Sequence, residues 1–163
     1  ELFASGLSTQ SRFFEDLRRA SAAGMPVYAE CGGLMTLSRS IETVEGEVFP
    51  MAGILPFRTR MLPRRKALGY TEVELRGECL LGGAGSRIRG HEFHYSEIVD
   101  MDPNQSLEEV YEVHGRRDAV PRSEGYAVGS VLASYVHLHW GSAPRAARHF
   151  AERCRQFQLS TRK

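Results

Sequence analysis

Pro26-Val27-Tyr28-Ala29-Glu30-Cys31-Gly32-Gly33-Leu34-Met35 decides how the rest of this chain must be read. An apolar run from Val27 to Ala29 stops at an acid, a cysteine and two glycines follow, and a helix-like apolar pattern resumes at Leu34. That order describes a buried strand turning sharply into a helix with one thiol at the tip. Glycine after the thiol permits the tight turn, and the N–H groups opening the new helix favour the thiolate, the reactive form of cysteine. The same residues also fit a plainer reading, in which Cys31 is a small buried side chain after a strand.

On the amino side, Phe13, Phe14, Leu17 and Ala20 have helical spacing, so a helix is expected from Ser8, as N-cap, to Ala23, with Gly24 as its stop. On the carboxyl side a second helix is expected from Gly33 to Ser40, carrying Leu34, Leu37 and Ile41 inward. Helix, strand, helix is a unit of an α/β sheet with parallel strands. Between Glu47 and Val113 the pattern changes to strands at Phe57 to Leu62, Gly69 to Leu75, Ile88 to Val99 and Leu107 to Val113. Gly82-Gly83-Ala84-Gly85 and Asp102-Pro103-Asn104 are turns between them, and strands that follow one another without helices imply a sheet that is antiparallel or folded over as a meander. Gly125 to Val128 and Val131 to His139 resume strand character. Ser142 and Pro144 then start a final amphipathic helix with Ala147, Phe150, Ala151 and Cys154 on one stripe.

A chain of 163 residues, 42% apolar and 25% charged, suits one well-buried domain of ordinary globular composition. With 21 basic and 20 acidic residues the net charge is +1, which gives no reason to expect a nucleic-acid partner. Arg58, Arg60, Arg64, Arg65 and Lys66 form a local basic cluster that reads as a solvated loop, its alternative use being to attract an anionic substrate or a partner surface. The cysteines at 31, 79 and 154 have neither disulfide-framework nor zinc-ribbon spacing, so a reducing, cytoplasmic setting is expected. No apolar run approaches the roughly 20 residues that span a bilayer, and no membrane partner is expected. The chain opens at Glu1-Leu2-Phe3 without a methionine or signal-peptide pattern, which suggests a piece of something longer.

A thiol nucleophile needs a base within hydrogen-bond reach, usually a histidine from another strand end. His137 and His139 are two apart in a strand and so share a face with Tyr135, which makes them the candidates to pair with Cys31. Either could instead be a core histidine satisfied by a carbonyl. In Gly90-His91-Glu92-Phe93-His94-Tyr95-Ser96, the residues Glu92, His94 and Ser96 share one face, and His91, Phe93 and Tyr95 the other. So many polar residues in a strand point to a site or an edge. His91, His94, His137, His139 and Glu92 could also form a metal site. The short helical spacings that make a zinc motif specific are absent, however, so no metal ligand is assigned.

Ala29-Glu30-Cys31-Gly32-Gly33-Leu34-Met35, Ala67-Leu68-Gly69-Tyr70, Arg89 to Ser96 and Ala133-Ser134-Tyr135-Val136-His137-Leu138-His139 together resemble the carboxy-terminal glutaminase domain of cobyrinic acid a,c-diamide synthases. That group sits in the cobyrinic/cobyric acid branch of class I, triad-type, glutamine amidotransferases. The resemblance covers nearly the whole chain. It implies an α/β, flavodoxin-like mixed sheet flanked by helices and truncated at its amino end, with residues 1–163 as one glutaminase domain of a longer synthetase. It implies that Cys31 attacks the glutamine amide and His137 moves the proton. Gly32, Gly33, His94, Tyr95 and Ser96 would bind substrate, Gly32 as an oxyanion donor, with Glu92 and His139 in support. It further implies ammonia delivery to a corrinoid, cobyrinic or hydrogenobyrinic acid, whose a and c acetate groups are amidated in cobalamin biosynthesis. ATP and Mg2+ would act in the missing synthetase domain, with no cofactor in this one, and a homodimer is left open.

The chain departs from the wider class I pattern in four places. Ala29 stands where glycine is usual two residues before the nucleophile, and Met35 where glutamine is usual four after. His139 replaces the usual acid two residues after the histidine, which implies a Cys/His dyad and leaves the orientation of His137 unaccounted for. Glu1 reads as the last residue of a Gly-Gly-Tyr/Phe-Pro-Glu turn whose oxyanion donor is missing. Two other functions stay open on the sequence: a non-catalytic docking domain and a histidine-rich metal-binding module.

Overall fold

A computed structural model describes residues 3–115 and 120–161. In chain order the elements are helices α1 (Ala4–Ser8) and α2 (Ser11–Ala22), strand β1 (Val27–Glu30), helix α3 (Gly32–Leu37), and strands β2 (Ser40–Glu42), β3 (Val48–Pro50), β4 (Arg58–Met61), β5 (Ala67–Leu75), β6 (Arg87–His94) and β7 (Ser96–Val99). There follow β8 (Glu108–His114), β9 (Arg122–Val128), β10 (Val131–Ser134), β11 (His137–Leu138), a 3-10 turn at Trp140–Ser142 and helix α4 (Pro144–Ser160).

Seven strands form one mixed sheet in the order β1-β10-β9-β8-β5-β6-β11, and four form a smaller sheet in the order β3-β2-β4-β7. In the large sheet β1 runs parallel to β10, while the other pairs are antiparallel. The expected antiparallel pairing is therefore present, though not as a simple meander, since β4 and β7 lie in the smaller sheet and β8 pairs with β5. The thiol-bearing strand is the parallel edge of the large sheet. Alternate residues of β10 show how the large sheet is covered. Val131 and Ala133 pack with Phe14, Leu34, Leu37, Leu55 and Phe57, from the first helices and the smaller sheet. Leu132 faces the other way, into Val73, Leu75, Ile88, Tyr111, Val136 and Ala146, beneath α4.

Several local expectations are corrected. Ser8 does not cap α2 but ends α1, its hydroxyl turned back to the Ser5 carbonyl at 2.7 Å, and α2 begins after Gln10 without a side-chain cap. The second helix stops at Leu37, because Ser40 and Ile41 are drawn into β2, where Ile41 pairs with Phe49 and Thr59. The run from Ile88 to Val99 is two strands in different sheets, parted at Tyr95. The run from Val131 to His139 also breaks. Tyr135 N–H donates to Glu124 at 2.7 Å and Val136 N–H to Ser134 Oγ at 2.9 Å, so two donors leave the ladder for side chains. On α4, Ala146 takes the buried position and Ala151 is exposed, while Phe150 packs on Tyr28 and Trp140. In the basic cluster, Arg58 pairs with Asp100, and Arg60 and Lys66 pair with Glu97 at 2.6 Å each, so three of its five side chains have acidic partners.

Candidate active site

The ladder between β1 and β10 runs one step past Glu30, with Cys31 N–H donating to the Ser134 carbonyl at 2.7 Å. The backbone then reverses at Cys31 itself, which has φ 48° and ψ −105°, a conformation that side-chain-bearing residues rarely adopt. Such a geometry costs on the order of 1–3 kcal/mol and persists only where the surroundings impose it. Helix α3 follows at once, its first bond running from Met35 N–H to the Cys31 carbonyl at 3.1 Å. A Cβ on Gly33 would come within 3.2 Å of the Ala29 side chain, so the small residue at 29 and the glycine at 33 together let helix and strand approach. The half-buried Cys31 is thereby held on a strained strand-to-helix turn, with its Sγ 3.8 Å from the Phe93 carbonyl of β6.

His137 reaches the same end of the sheet by a different route. Strand β11 pairs with β6, placing His137 opposite His91, two residues before Phe93, with the two imidazoles stacked at 4.9 Å. Its Nδ1 lies 3.5 Å from Oε2 of Glu30, the residue directly before the cysteine. The other carboxylate oxygen of Glu30 accepts the Leu138 N–H at 2.8 Å and the Tyr28 hydroxyl at 2.7 Å. Burial, reinforced by Tyr111 and by the Glu30 charge, holds the Tyr28 phenol far above its ordinary range, so it remains a donor to that carboxylate. Sequence reasoning alone misses Glu30, although the abrupt acid at the end of the apolar run is the available signal.

His139 does not take part in this arrangement. It is exposed, its N–H donates to the Arg89 carbonyl at 2.8 Å, and its ring lies against Gly141 in a cavity of about 690 Å³ shared with Tyr70, Arg89, His91 and His114. Tyr135 does not share a face with the two histidines either, because the bend after Ser134 turns it inward.

Glu92, His94 and Ser96 lie on the buried side of β6 and β7, as their alternation implied, while Phe93 and Tyr95 are exposed and meet edge to face at 5.6 Å. His94 stacks on Tyr135 at 4.0 Å and its Nδ1 sits 2.9 Å from the Ser96 carbonyl. Ser96 Oγ donates to the Tyr135 oxygen at 3.0 Å and lies 3.4 Å from the Met35 sulfur. The side chains of His94 and Ser96 thus brace α3 and Tyr135 from below. They line an open groove of about 360 Å³ with Lys66, Glu92, Arg122 and Glu124.

Two acids in that groove have opposite electrostatics. Burial pushes the Glu92 carboxyl up, but hydrogen bonds from His94 and Arg122 outweigh it and leave Glu92 below the usual carboxylate range. Burial also dominates at Glu124, which rises to about 7 even though Ser134 and Tyr135 N–H donate to it. Sequence reasoning misses Arg122 and Glu124 as well, since only their alternation in a strand would mark them.

The four-histidine metal site is not assembled. His94 and Glu92 face inward while His91 stacks on His137 on the opposite side, and among the described residues no group of three or more His, Cys, Asp or Glu could hold a metal ion.

Residues 1–145 match the CobB/CobQ-like glutamine amidotransferase domain. The chain is 45% identical over 155 residues to a cobyrinate a,c-diamide synthase of Syntrophotalea carbinolica, covering 95% of this chain and 34% of that protein. It is 43% identical over 154 residues to one of Leptospira interrogans, covering 94% of this chain and again 34% of the relative. The chain thus spans about a third of the length of the curated relatives it matches. A solved glutamine amidotransferase superposes with a TM-score of 0.57 at 22% identity, covering 86% of this chain and 67% of that one. At that identity the likeness speaks to the fold alone. On the match over residues 1–145 and the identities to its relatives, the chain belongs to the CobB/CobQ-like glutamine amidotransferase family.

Proposed function

We propose that this chain hydrolyses glutamine by Cys-His nucleophilic catalysis and supplies the ammonia to an ATP-dependent amidation of corrinoid acetate groups. The observation that carries the reading is the strained turn at Cys31, with an imidazole, His137, held by the residue next to it. In the reaction the Cys31 thiol gives its proton to His137 and its sulfur bonds to the side-chain amide carbon of glutamine. The proton then passes to the amide nitrogen, the C–N bond breaks and ammonia leaves. Water, deprotonated by the same imidazole, cleaves the glutamyl thioester to glutamate and restores the thiol. The backbone N–H of Gly32 is the local donor for the oxyanion formed in each half. Gly33 keeps the helix close behind it, and the segment His94-Tyr95-Ser96 forms the wall against which glutamine is held, with Glu92 supporting that strand from its inward face.

The corrinoid, as cobyrinic or hydrogenobyrinic acid, enters the reading through the relatives named cobyrinate a,c-diamide synthase. Their additional length is where ATP and Mg2+ would activate the acetate carboxylates, so this domain itself needs no cofactor. A thiolate nucleophile stays reduced in the cytoplasm, the compartment this reading assigns. No described helix is long and apolar enough to cross a membrane. The test is glutamine-dependent ammonia release by the purified protein and its Cys31→Ala variant. Loss of release in the variant supports the reading, and unchanged release overturns it.

A further inference from the structure

We infer that Glu30 is the positioning acid of this site, holding His137 in the tautomer and orientation that catalysis requires. The inference rests on the proposed Cys31 and His137 chemistry and extends it to a residue on the other side of the nucleophile.

An imidazole that takes a proton at Nε2 must carry its other proton on Nδ1, and an acceptor at Nδ1 fixes both the tautomer and the ring plane. The position that ordinarily supplies a carboxylate, two residues past the histidine, holds His139, whose ring lies against Gly141. The carboxylate that does reach His137 comes from Glu30, at 3.5 Å from Nδ1. That separation is long for a hydrogen bond, as catalytic contacts commonly are before substrate binds.

Three features make Glu30 a fixed acceptor rather than a surface acid that happens to lie nearby. Its Oε1 is held at two points, by Tyr28 Oη at 2.7 Å and by Leu138 N–H at 2.8 Å, which leaves Oε2 aimed at the imidazole. Leu138 directly follows His137, so the carboxylate grips the backbone and the side chain of the same short strand. Glu30 also directly precedes Cys31, so the nucleophile, the acid and, through the acid, the base are tied to one turn. The charged or titratable groups facing this pair are Tyr28 and Tyr111 on the side of Glu30 and His91 on the side of His137. Glu30 transfers no proton in the reaction. It stabilises the Nδ1–H form of the ring, and the imidazolium once the thiol proton has moved.

The experiment compares Glu30→Gln, Glu30→Asp and Cys31→Ala with the parent in the full protein, reading kcat and KM for glutamine hydrolysis together with the thermal melting temperature. Gln keeps the acceptor for Leu138 N–H but loses the charge, and in a serine protease the equivalent acid-to-amide change lowers kcat by about 10⁴. The expected result is a loss of at least about 100-fold in kcat for Glu30→Gln, with KM within about threefold, and at least about tenfold recovery in Glu30→Asp. If Glu30→Gln folds poorly, the same comparison is made with Glu30→Asp, whose shorter carboxylate keeps the charge, and His137 is examined by 15N NMR, which should show its proton on Nδ1. Three results would overturn the inference: kcat within about threefold of the parent in Glu30→Gln, a loss confined to KM, or an Asp variant no better than Gln. Full activity in Cys31→Ala would instead remove the underlying glutaminase reading, so the two failures are distinguishable.

Discussion

Gly90 and His137 are in closer contact than any side chain at position 90 would allow: a Cβ there would lie 2.6 Å from the His137 carbonyl oxygen and 2.7 Å from a Val136 methyl. Gly90 pairs with Leu138, so the glycine sets how tightly β11 seats on β6 and hence where the imidazole stands.

Gly90→Ala is therefore expected to push β11 outward. Overpacking of this kind costs about 1–3 kcal/mol. A thermal melt should show the destabilisation, and glutamine hydrolysis should fall further than the melt alone accounts for, because His137 moves with the strand. Equal stability and equal kcat would show that β11 relaxes freely.

Cys31 carries backbone strain at φ 48°, which the proposed role as nucleophile would retain. Cys31→Gly is expected to raise stability by about 1 kcal/mol, since glycine adopts φ 48° without penalty, while Cys31→Ala keeps the strain and gains nothing. Urea unfolding of the two variants measures the difference. Both should lack glutamine hydrolysis.

Glu124 should give the fold a pH dependence of the unusual sign. Its carboxyl rises from the ordinary 4.5 to about 7 in the folded chain, so between those values the folded state binds the extra proton. Stability from this group is fully present below about pH 4.5 and is lost as pH rises through about 7, by roughly 3 kcal/mol at most. Glu124→Gln, which can still accept from Tyr135 N–H and pair with Ser134, should flatten the unfolding free energy between about pH 5 and 8. An unaltered slope would place the titration elsewhere.

The turn at Cys31 is legible in the sequence because its signals are local: an apolar strand, an abrupt acid and two glycines within a few residues. The antiparallel strands are legible for the same reason, through alternation and glycine-rich turns. The two strand breaks are not, because tertiary partners impose them. Glu124 captures the Tyr135 N–H, and the Leu62 N–H donates to the Tyr95 carbonyl at 2.6 Å where the chain passes from one sheet to the other. Neither event alters the polar and apolar alternation. Of the candidate site residues, Cys31 and His137 can be named from sequence, and both lie against β6, Cys31 Sγ at the Phe93 carbonyl and His137 opposite His91. His139 groups with His137 only on the assumption of a continuing strand, and β11 ends at Leu138, where the chain passes into the 3-10 turn. Glu30 escapes a sequence reading because an acid is expected beside its histidine in sequence, whereas the carboxylate that reaches His137 Nδ1 comes from beside the cysteine.

The most direct measurement is covalent trapping with a glutamine-like diazo-ketone followed by mass mapping of the modified cysteine. One equivalent should be found on Cys31, with protection by excess glutamine and parallel loss of ammonia release. Modification of Cys79 or Cys154 with Cys31 untouched would contradict the assignment of the nucleophile.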